Sequence, residues 1–326
     1  MSFEKLQSLV FNIRYEAKGI VSVELRPATR DVLFPEAEAG AHIDLFLKDG
    51  LSRSYSLTNP GSEQRYVIAV MEDKNGRGGS RYVHHQLRVG QLLNISAPRN
   101  HFKLDESAGH SVLVAGGIGI TPIYAMLQRL LALARPLHLI YYARNRSEAA
   151  YVEALETLAK RAGVSDSKLL IAMHFTNEDN DRPGLEKVLN GYPPDTHFYC
   201  CGPPAMLSDY ERVCDSFGYL NVHMEHFAAA KENLRTPSDS YFVELKKSGI
   251  TLKVKSGTSI LDTMLDAGLN PDFSCREGIC GACETKVLSG EVDHHDQVLT
   301  KQERLVNRSM MICVSRCKSG SLVLDA

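Results

Sequence analysis

Residues 274–283 read Ser-Cys-Arg-Glu-Gly-Ile-Cys-Gly-Ala-Cys, and a fourth cysteine, Cys313, follows Cys283 after 29 intervening residues. Cys275, Cys280 and Cys283 thus stand in the C-x4-C-x2-C spacing that, with one distant thiolate, holds a two-iron, two-sulfur cluster. That chemistry needs four soft thiolates and a loop whose backbone amides come close to the cluster sulfurs. Gly278, Gly281 and Ala282 are small enough to allow the approach. Zinc is the competing reading, but zinc sites favour paired C-x2-C knuckles, which a four-residue step suits poorly. Cys317, four residues past Cys313, is a second candidate for the last ligand, although the spacing favours Cys313. Cys317 and Cys214, the latter on an amphipathic helical stretch, read as packing residues.

All eight cysteines lie at or after Cys200, and no apolar run follows Met1. The chain is therefore expected in a reducing, cytoplasmic compartment, where clustered cysteines mean metal or redox chemistry and not a disulfide framework. A net charge of −2 argues against a bulk electrostatic hold on nucleic acid or an anionic membrane. The longest apolar run, Val112 to Leu127, is broken by Gly116, Gly117, Gly119 and Pro122 and is too short to span a bilayer.

At 326 residues the chain is too long for one ordinary core and predicts two or three domains. Over 1–105, short apolar runs such as Ile20–Pro27, His42–Phe46 and Leu92–Ala97 alternate with turn residues, which predicts an antiparallel β-barrel. From 106 to 228, strands at Ser111–Ala115, Leu137–Tyr142, 168–175 and His197–Cys201 alternate with helical stretches, which predicts an α/β domain with a parallel sheet. Residues 229–238 are polar and read as a linker, leaving a small α+β domain over 239–326.

Two glycine-rich turns have the chemistry of anion binding. Strand Ser111–Ala115 runs into Gly116-Gly117-Ile118-Gly119-Ile120-Thr121-Pro122, where glycines let the backbone approach a phosphate, Thr121 is placed to cap a helix and Pro122 suits its first turn. Pro122 occupies the place of the third glycine in the usual dinucleotide fingerprint, so a plain tight turn competes. Strand His197–Cys201 runs into Gly202-Pro203-Pro204, which puts Cys201 at the carboxyl edge of the same sheet. In the barrel, Arg53-Ser54-Tyr55-Ser56 joins a cation, a ring and a hydroxyl, the pairing a flavin and its phosphate need. Gly76-Arg77-Gly78-Gly79-Ser80 offers a further phosphate cradle. Taken alone, each is also compatible with an ordinary strand or hairpin loop. His84-His85 and His294-His295 invite a metal reading, but neighbours on a strand point to opposite faces, so packing is expected.

Taken in order, RSYS, GRGGS, GGIGITP, CGPP and C-x4-C-x2-C…C resemble the phthalate dioxygenase reductase family, including vanillate demethylase type reductases, over nearly the whole chain. The resemblance implies a β-grasp, plant-type ferredoxin fold for 239–326. It also implies an NADH-oxidising, FMN-containing enzyme that feeds a terminal Rieske-type oxygenase; a separate ferredoxin, a quinone or a metal chelate as acceptor, or a non-catalytic redox sensor, are the competing readings, and a monomer is expected. Carried over, Arg53, Tyr55 and Ser56 hold the flavin, with Gly78, Gly79 and Ser80 at its phosphate. Thr121 sits between flavin and nicotinamide, Gly116, Gly117, Gly119, Cys201, Gly202 and Pro203 line the NADH groove, and Phe227 covers the flavin until nicotinamide displaces it. One departure concerns the end of the second strand, where an acid usually meets the NADH ribose but Arg144-Asn145-Arg146 stands here. Arg144 and Arg146 could accept the 2′-phosphate of NADPH, or pair with pyrophosphate or solvent; the family's habit favours NADH.

Overall fold

The computed structural model describes residues 5–29, 31–162, 169–178, 183–228 and 240–326, so the linker expected over 229–238 lies outside the described residues. The chain divides into two compact units, Lys5–Phe227 and Ala228–Ala326. The first opens with β1 (Lys5–Ala17), β2 (Ile20–Pro27), β3 (His42–Phe46), β4 (Ser52–Ser56), β5 (Tyr66–Met71), the short helix α1 (Gly79–His85) and β6 (Leu92–Ser96). These strands form an antiparallel sheet in the order β4-β3-β6-β1-β2-β5, and the bridge Leu57↔Ile68 joins its two ends into a barrel. Alternate residues, among them Val23, Leu25, Ile43, Leu45, Ile68 and Ile95, fill its interior.

The chain then alternates β7 (Ser111–Gly116), α2 (Ile120–Ala132), β8 (Leu137–Ala143), α3 (Val152–Ala162), β9 (Leu169–Phe175), α4 (Leu185–Val188), β10 (His197–Cys201), α5 (Pro204–Phe217) and β11 (Val222–Glu225). Its sheet is parallel, in the order β11-β10-β7-β8-β9. β7 is buried at every position because helices cover both faces, which is why its sequence is continuously apolar and not alternating. α2 turns Ile120, Ile123, Leu127 and Leu130 inward at helical spacing. α5 starts with Pro204 in its first turn and stops at Gly218, whose φ of 72° no other residue takes as cheaply. Ala17, Ile20, Ala69 and Phe102 of the barrel pack into the core on the α2 and α3 side, so barrel and parallel sheet share apolar burial within one unit.

The second unit holds β12 (Tyr241–Leu245), β13 (Ile250–Val254), α6 (Ile260–Asp266), β14 (Glu284–Ser289), β15 (Val292–Asp293), α7 (Lys301–Val306), β16 (Ser309–Met311), β17 (Arg316–Cys317) and β18 (Ser321–Leu324). Its mixed sheet runs β13-β12-β18-β14-β16, with β12 parallel to β18, over a core that includes Ile260, Met264, Met310, Met311 and Leu324. α6 is capped by the Ser259 hydroxyl, and α7 by a reciprocal pair between Thr300 and Glu303. This is the ferredoxin-type fold expected for the segment. Among the described residues no helix is long and apolar enough to cross a membrane.

Candidate active site and cluster loop

From β7 the sheet grows one way through β8 and β9 and the other way through β10 and β11. The crevice beyond the carboxyl ends of β7 and β10 is therefore the topological switch point, where open α/β sheets bind ligands. Gly116–Gly119 and Cys201–Pro203 meet there. A Cβ on Gly119 would fall 2.2 Å from the Cys201 carbonyl oxygen, and one on Gly116 would fall 2.7 Å from Pro203 Cδ, so only bare backbone lets the two turns close. Thr121 does not cap the helix, contrary to the expectation from sequence: α2 begins at Ile120 with Gly119 as its cap, and the buried Thr121 hydroxyl donates to the Ile118 carbonyl at 3.1 Å. The chain enters α2 through a helical turn at Gly117–Gly119, which moves the cap two residues upstream of the hydroxyl.

The RSYS strand and the GRGGS turn also come together. The Arg53 side chain crosses Gly79 where a Cβ would lie 2.4 Å from its Cγ, and its Nη2 donates to the Arg77 carbonyl at 3.2 Å. Gly78 precedes α1, and Ser80 Oγ accepts from the Asp73 amide at 3.0 Å. Burial pushes the Tyr55 hydroxyl up to about 12 against the opposing charge of Arg53. A guanidinium beside glycine amides and a hydroxyl is a donor set that fits a flavin phosphate. His84 and His85 lie on α1 and not on a strand, the GRGGS turn having passed directly into helix; His84 bonds the Val70 carbonyl and His85 the Glu72 carboxylate. His294 and His295 follow β15 and face Asp296 and Asp293 respectively.

One residue escaped the sequence reading. Glu225, last in β11 and in register with Cys201, accepts a hydrogen bond from the buried Ser56 hydroxyl at 3.2 Å. Burial pushes its carboxyl up to about 8, opposed by the Ser56 bond. The Cys201 thiol is itself pushed well up, first by burial and then by Glu225, so it sits in the crevice as a neutral thiol. Barrel strand β4 and sheet strand β11 are thus joined by a hydrogen bond beside the switch point. Phe227, two residues beyond Glu225, is 39% exposed. At the end of β8, Arg144 pairs with Glu148 at 3.1 Å and Arg146 with Glu156 at 2.7 Å, while the Arg146 amide donates to Glu178 at 2.8 Å.

In the second unit Cys275, Cys280, Cys283 and Cys313 are all buried. Their loop turns through left-handed residues at Arg276, Gly278 and Gly281, which aims amides at sulfur: Glu277 N donates to Cys275 Sγ at 3.3 Å and Cys275 N to Cys280 Sγ at 3.4 Å. The bond with Cys280 and the neighbouring amides hold the Cys275 thiol down at about 6 against burial. The Cys283 thiol is pushed up by its contact with Cys313. Cys275 thus contacts Cys280, and Cys283 contacts Cys313. This geometry and the amide donors fit a 2Fe-2S cluster. Cys317 instead lies in β17, its Sγ 3.6 Å from the Ser319 hydroxyl.

Fold and site together define a pyridine-nucleotide-dependent iron-sulfur oxidoreductase. Residues 113–212 match the oxidoreductase NAD-binding domain family and residues 243–318 the 2Fe-2S iron-sulfur cluster binding domain family. The chain is 46% identical over 320 residues to tetrachlorobenzoquinone reductase of Sphingobium chlorophenolicum, covering 97% of this chain and 96% of that one. It is 39% identical over 324 residues to vanillate O-demethylase oxidoreductase of Pseudomonas sp. (strain HR199 / DSM 7063), covering 98% and 99%. The solved structure of phthalate dioxygenase reductase, described as a modular structure for electron transfer from pyridine nucleotides to [2Fe-2S], aligns with a TM-score of 0.69 at 35% identity, covering 99% of this chain and 98% of that one. The chain belongs to the phthalate dioxygenase reductase family. It is an NAD(P)H-dependent electron-transfer oxidoreductase with a 2Fe-2S cluster.

Proposed function

We propose that this chain takes hydride from NADH at the β7–β10 switch point and delivers single electrons, through the cluster held by Cys275, Cys280, Cys283 and Cys313, to a terminal Rieske-type oxygenase. The observation that carries the reading is the Ser56–Glu225 hydrogen bond, which joins the flavin-type RSYS strand to the nucleotide sheet beside Cys201. When bound, the flavin supplies the conversion between a hydride pair and single electrons, and the cluster carries one electron at a time.

The chain's own residues bind and orient. Arg53 neutralises the flavin phosphate while Gly78, Gly79 and Ser80 surround it, and Tyr55 and Ser56 border the ring. Gly116, Gly117 and Gly119 expose backbone to the dinucleotide against Gly202 and Pro203, with the neutral Cys201 thiol and Thr121 shaping the nicotinamide end. Phe227, partly exposed beyond β11, would cover the flavin ring. Glu225, kept protonated at neutral pH, holds Ser56 in position without placing a charge in the crevice. With Arg144 paired to Glu148 and Arg146 to Glu156, the β8 edge favours a ribose hydroxyl over a phosphate, hence NADH. The barrel over 1–105, the α/β segment over 106–228 and the cluster domain over 239–326 act as three functional modules of a cytoplasmic monomer.

A second acceptor class is favoured by one observation: the relative at 46% identity is named a tetrachlorobenzoquinone reductase. Mixing the purified chain with NADH and either a Rieske oxygenase or a substituted benzoquinone separates the two. Coupled formation of oxygenated product supports the oxygenase reading, and NADH oxidation coupled only to quinone overturns it.

A further inference from the structure

Asp296 lies behind the cysteine loop, buried, and belongs to neither the ligand set nor the nucleotide site. Its Oδ2 accepts from the amides of Val298 at 3.1 Å and Leu299 at 2.9 Å, and its Oδ1 accepts from the Ser315 hydroxyl at 3.3 Å. Ser315, also buried, stands two residues after Cys313 and accepts in turn from the His295 amide at 3.2 Å. On the other side, the Gln297 amide donates to the carbonyl of Gly278, midway between Cys275 and Cys280, at 2.8 Å. A Cβ on Gly278 would lie 3.1 Å from Asp296 Cα and 2.6 Å from Val314 Cγ2, so the three segments touch with no spare volume. His294 Nδ1 faces Oδ1 at 3.5 Å. Arg304 Nη2 donates to the Asp296 carbonyl and stands 3.9 Å from Oδ2.

We infer that Asp296 is a positioning residue for the cluster: its carboxylate ties its own turn, whose Gln297 amide holds the Cys275–Cys280 loop, to Ser315 beside Cys313, and places a negative charge behind them that holds the cluster's reduction potential down. The inference rests on the reading of the four thiols as cluster ligands. Filling space would need neither the charge nor the bond to Ser315. Reduction adds negative charge to the cluster, and a carboxylate in a poorly solvated interior opposes that addition over the few residues that separate the two. Arg304 on α7 screens it in part from the Oδ2 side, and His294 faces Oδ1.

The test is a spectroelectrochemical titration of the holoprotein, comparing wild type with Asp296→Asn and Arg304→Gln. Asp296→Asn keeps the shape and removes the charge. It is expected to retain the visible cluster bands and to raise the midpoint, so that the reduced-to-oxidised ratio at a fixed potential rises about three- to tenfold, the upper end being 59 mV for a one-electron couple. Arg304→Gln is expected to move the midpoint the opposite way by unscreening the carboxylate. An unchanged midpoint in a cluster-loaded Asp296→Asn protein overturns the inference. If that variant holds no cluster, Arg304→Gln decides, and a midpoint that stays or rises overturns it. Wild type without cluster bands would strike the ligand reading itself, a failure visible before any variant is compared.

Discussion

Replacing Glu225 with glutamine keeps the side chain's shape and its acceptor for Ser56, and removes only its ionisation. In the unfolded chain this carboxyl ionises near 4.5; in the fold burial lifts it to about 8. Between those values the folded state binds more protons than the unfolded state, so this carboxyl's contribution to stability is fully present below pH 4.5 and is lost as pH rises through 8. At about 1.4 kcal/mol per pH interval, the span corresponds to an upper bound of roughly 5 kcal/mol. Because effective interior dielectrics exceed those of dry protein, roughly 2–4 kcal/mol is the working expectation. Glu225→Gln lacks this loss and should be more stable than wild type by that amount at pH 8.5, with the difference closing towards pH 4.5. Urea unfolding of both proteins at pH 5, 7 and 8.5 measures it, and pairing the two cancels titration shared with the buried histidines. Stopped-flow reduction by NADH of Glu225→Ala, which removes the acceptor altogether, supplies the functional half: a misplaced Ser56 should slow the reductive step at least tenfold. Identical pH slopes for the two proteins, or an unaltered reductive rate, would refute the reasoning about this contact.

Three other perturbations test separate parts of the machinery. Cys280→Ser is expected to abolish the iron-sulfur absorption while leaving NADH-dependent reduction of an artificial flavin-level acceptor intact; a full cluster spectrum would show that the ligand assignment is wrong. In Gly119→Ala the new Cβ meets the Cys201 carbonyl oxygen at 2.2 Å, a backbone clash no rotamer relieves. The expected cost is about 1–3 kcal/mol, read as a Tm fall of roughly 2–12 °C with a raised KM for NADH; wild-type values for both would contradict the close-approach argument. Glu148→Gln combined with Glu156→Gln frees the guanidiniums of Arg144 and Arg146. A charge-assisted contact to a 2′-phosphate contributes about 1.5–3 kcal/mol, so kcat/KM for NADPH relative to NADH should rise about tenfold or more, and an unmoved ratio would remove these pairs from nucleotide choice.

What the sequence made legible was chemistry concentrated in short runs. The cysteine spacing, the glycine turns after β7 and β10 and the continuously apolar β7 each carry their reason within a few residues, and their strands lie within a residue or two of expectation. Elements that depend on distant partners stayed hidden. α1 begins inside a glycine-rich turn whose local propensity is against helix, and it closes because Arg53, 26 residues earlier, crosses Gly79. β11 is four residues long and half-buried, a strand only because β10 pairs with it in parallel. Nothing in residue type singles out Glu225 or Asp296; their roles come from Ser56 and Ser315, which the fold brings to them. The one available signal for Glu225 was its position two residues before the aromatic already assigned to the flavin. For Asp296 there was none, since its bonds join loops that only the fold assembles.

The central claim is that electrons reach the cluster by way of the flavin. Anaerobic mixing with NADH, of the FMN-replete protein and of the same protein depleted of FMN, tests it directly when the cluster's visible bands and its paramagnetic resonance signal are followed. Rapid cluster reduction in the replete protein, with the depleted protein's cluster left oxidised and restored to reducibility by added FMN, is the expected result. Equal rates of cluster reduction with and without FMN, or a replete protein whose cluster NADH never reduces, would contradict the account.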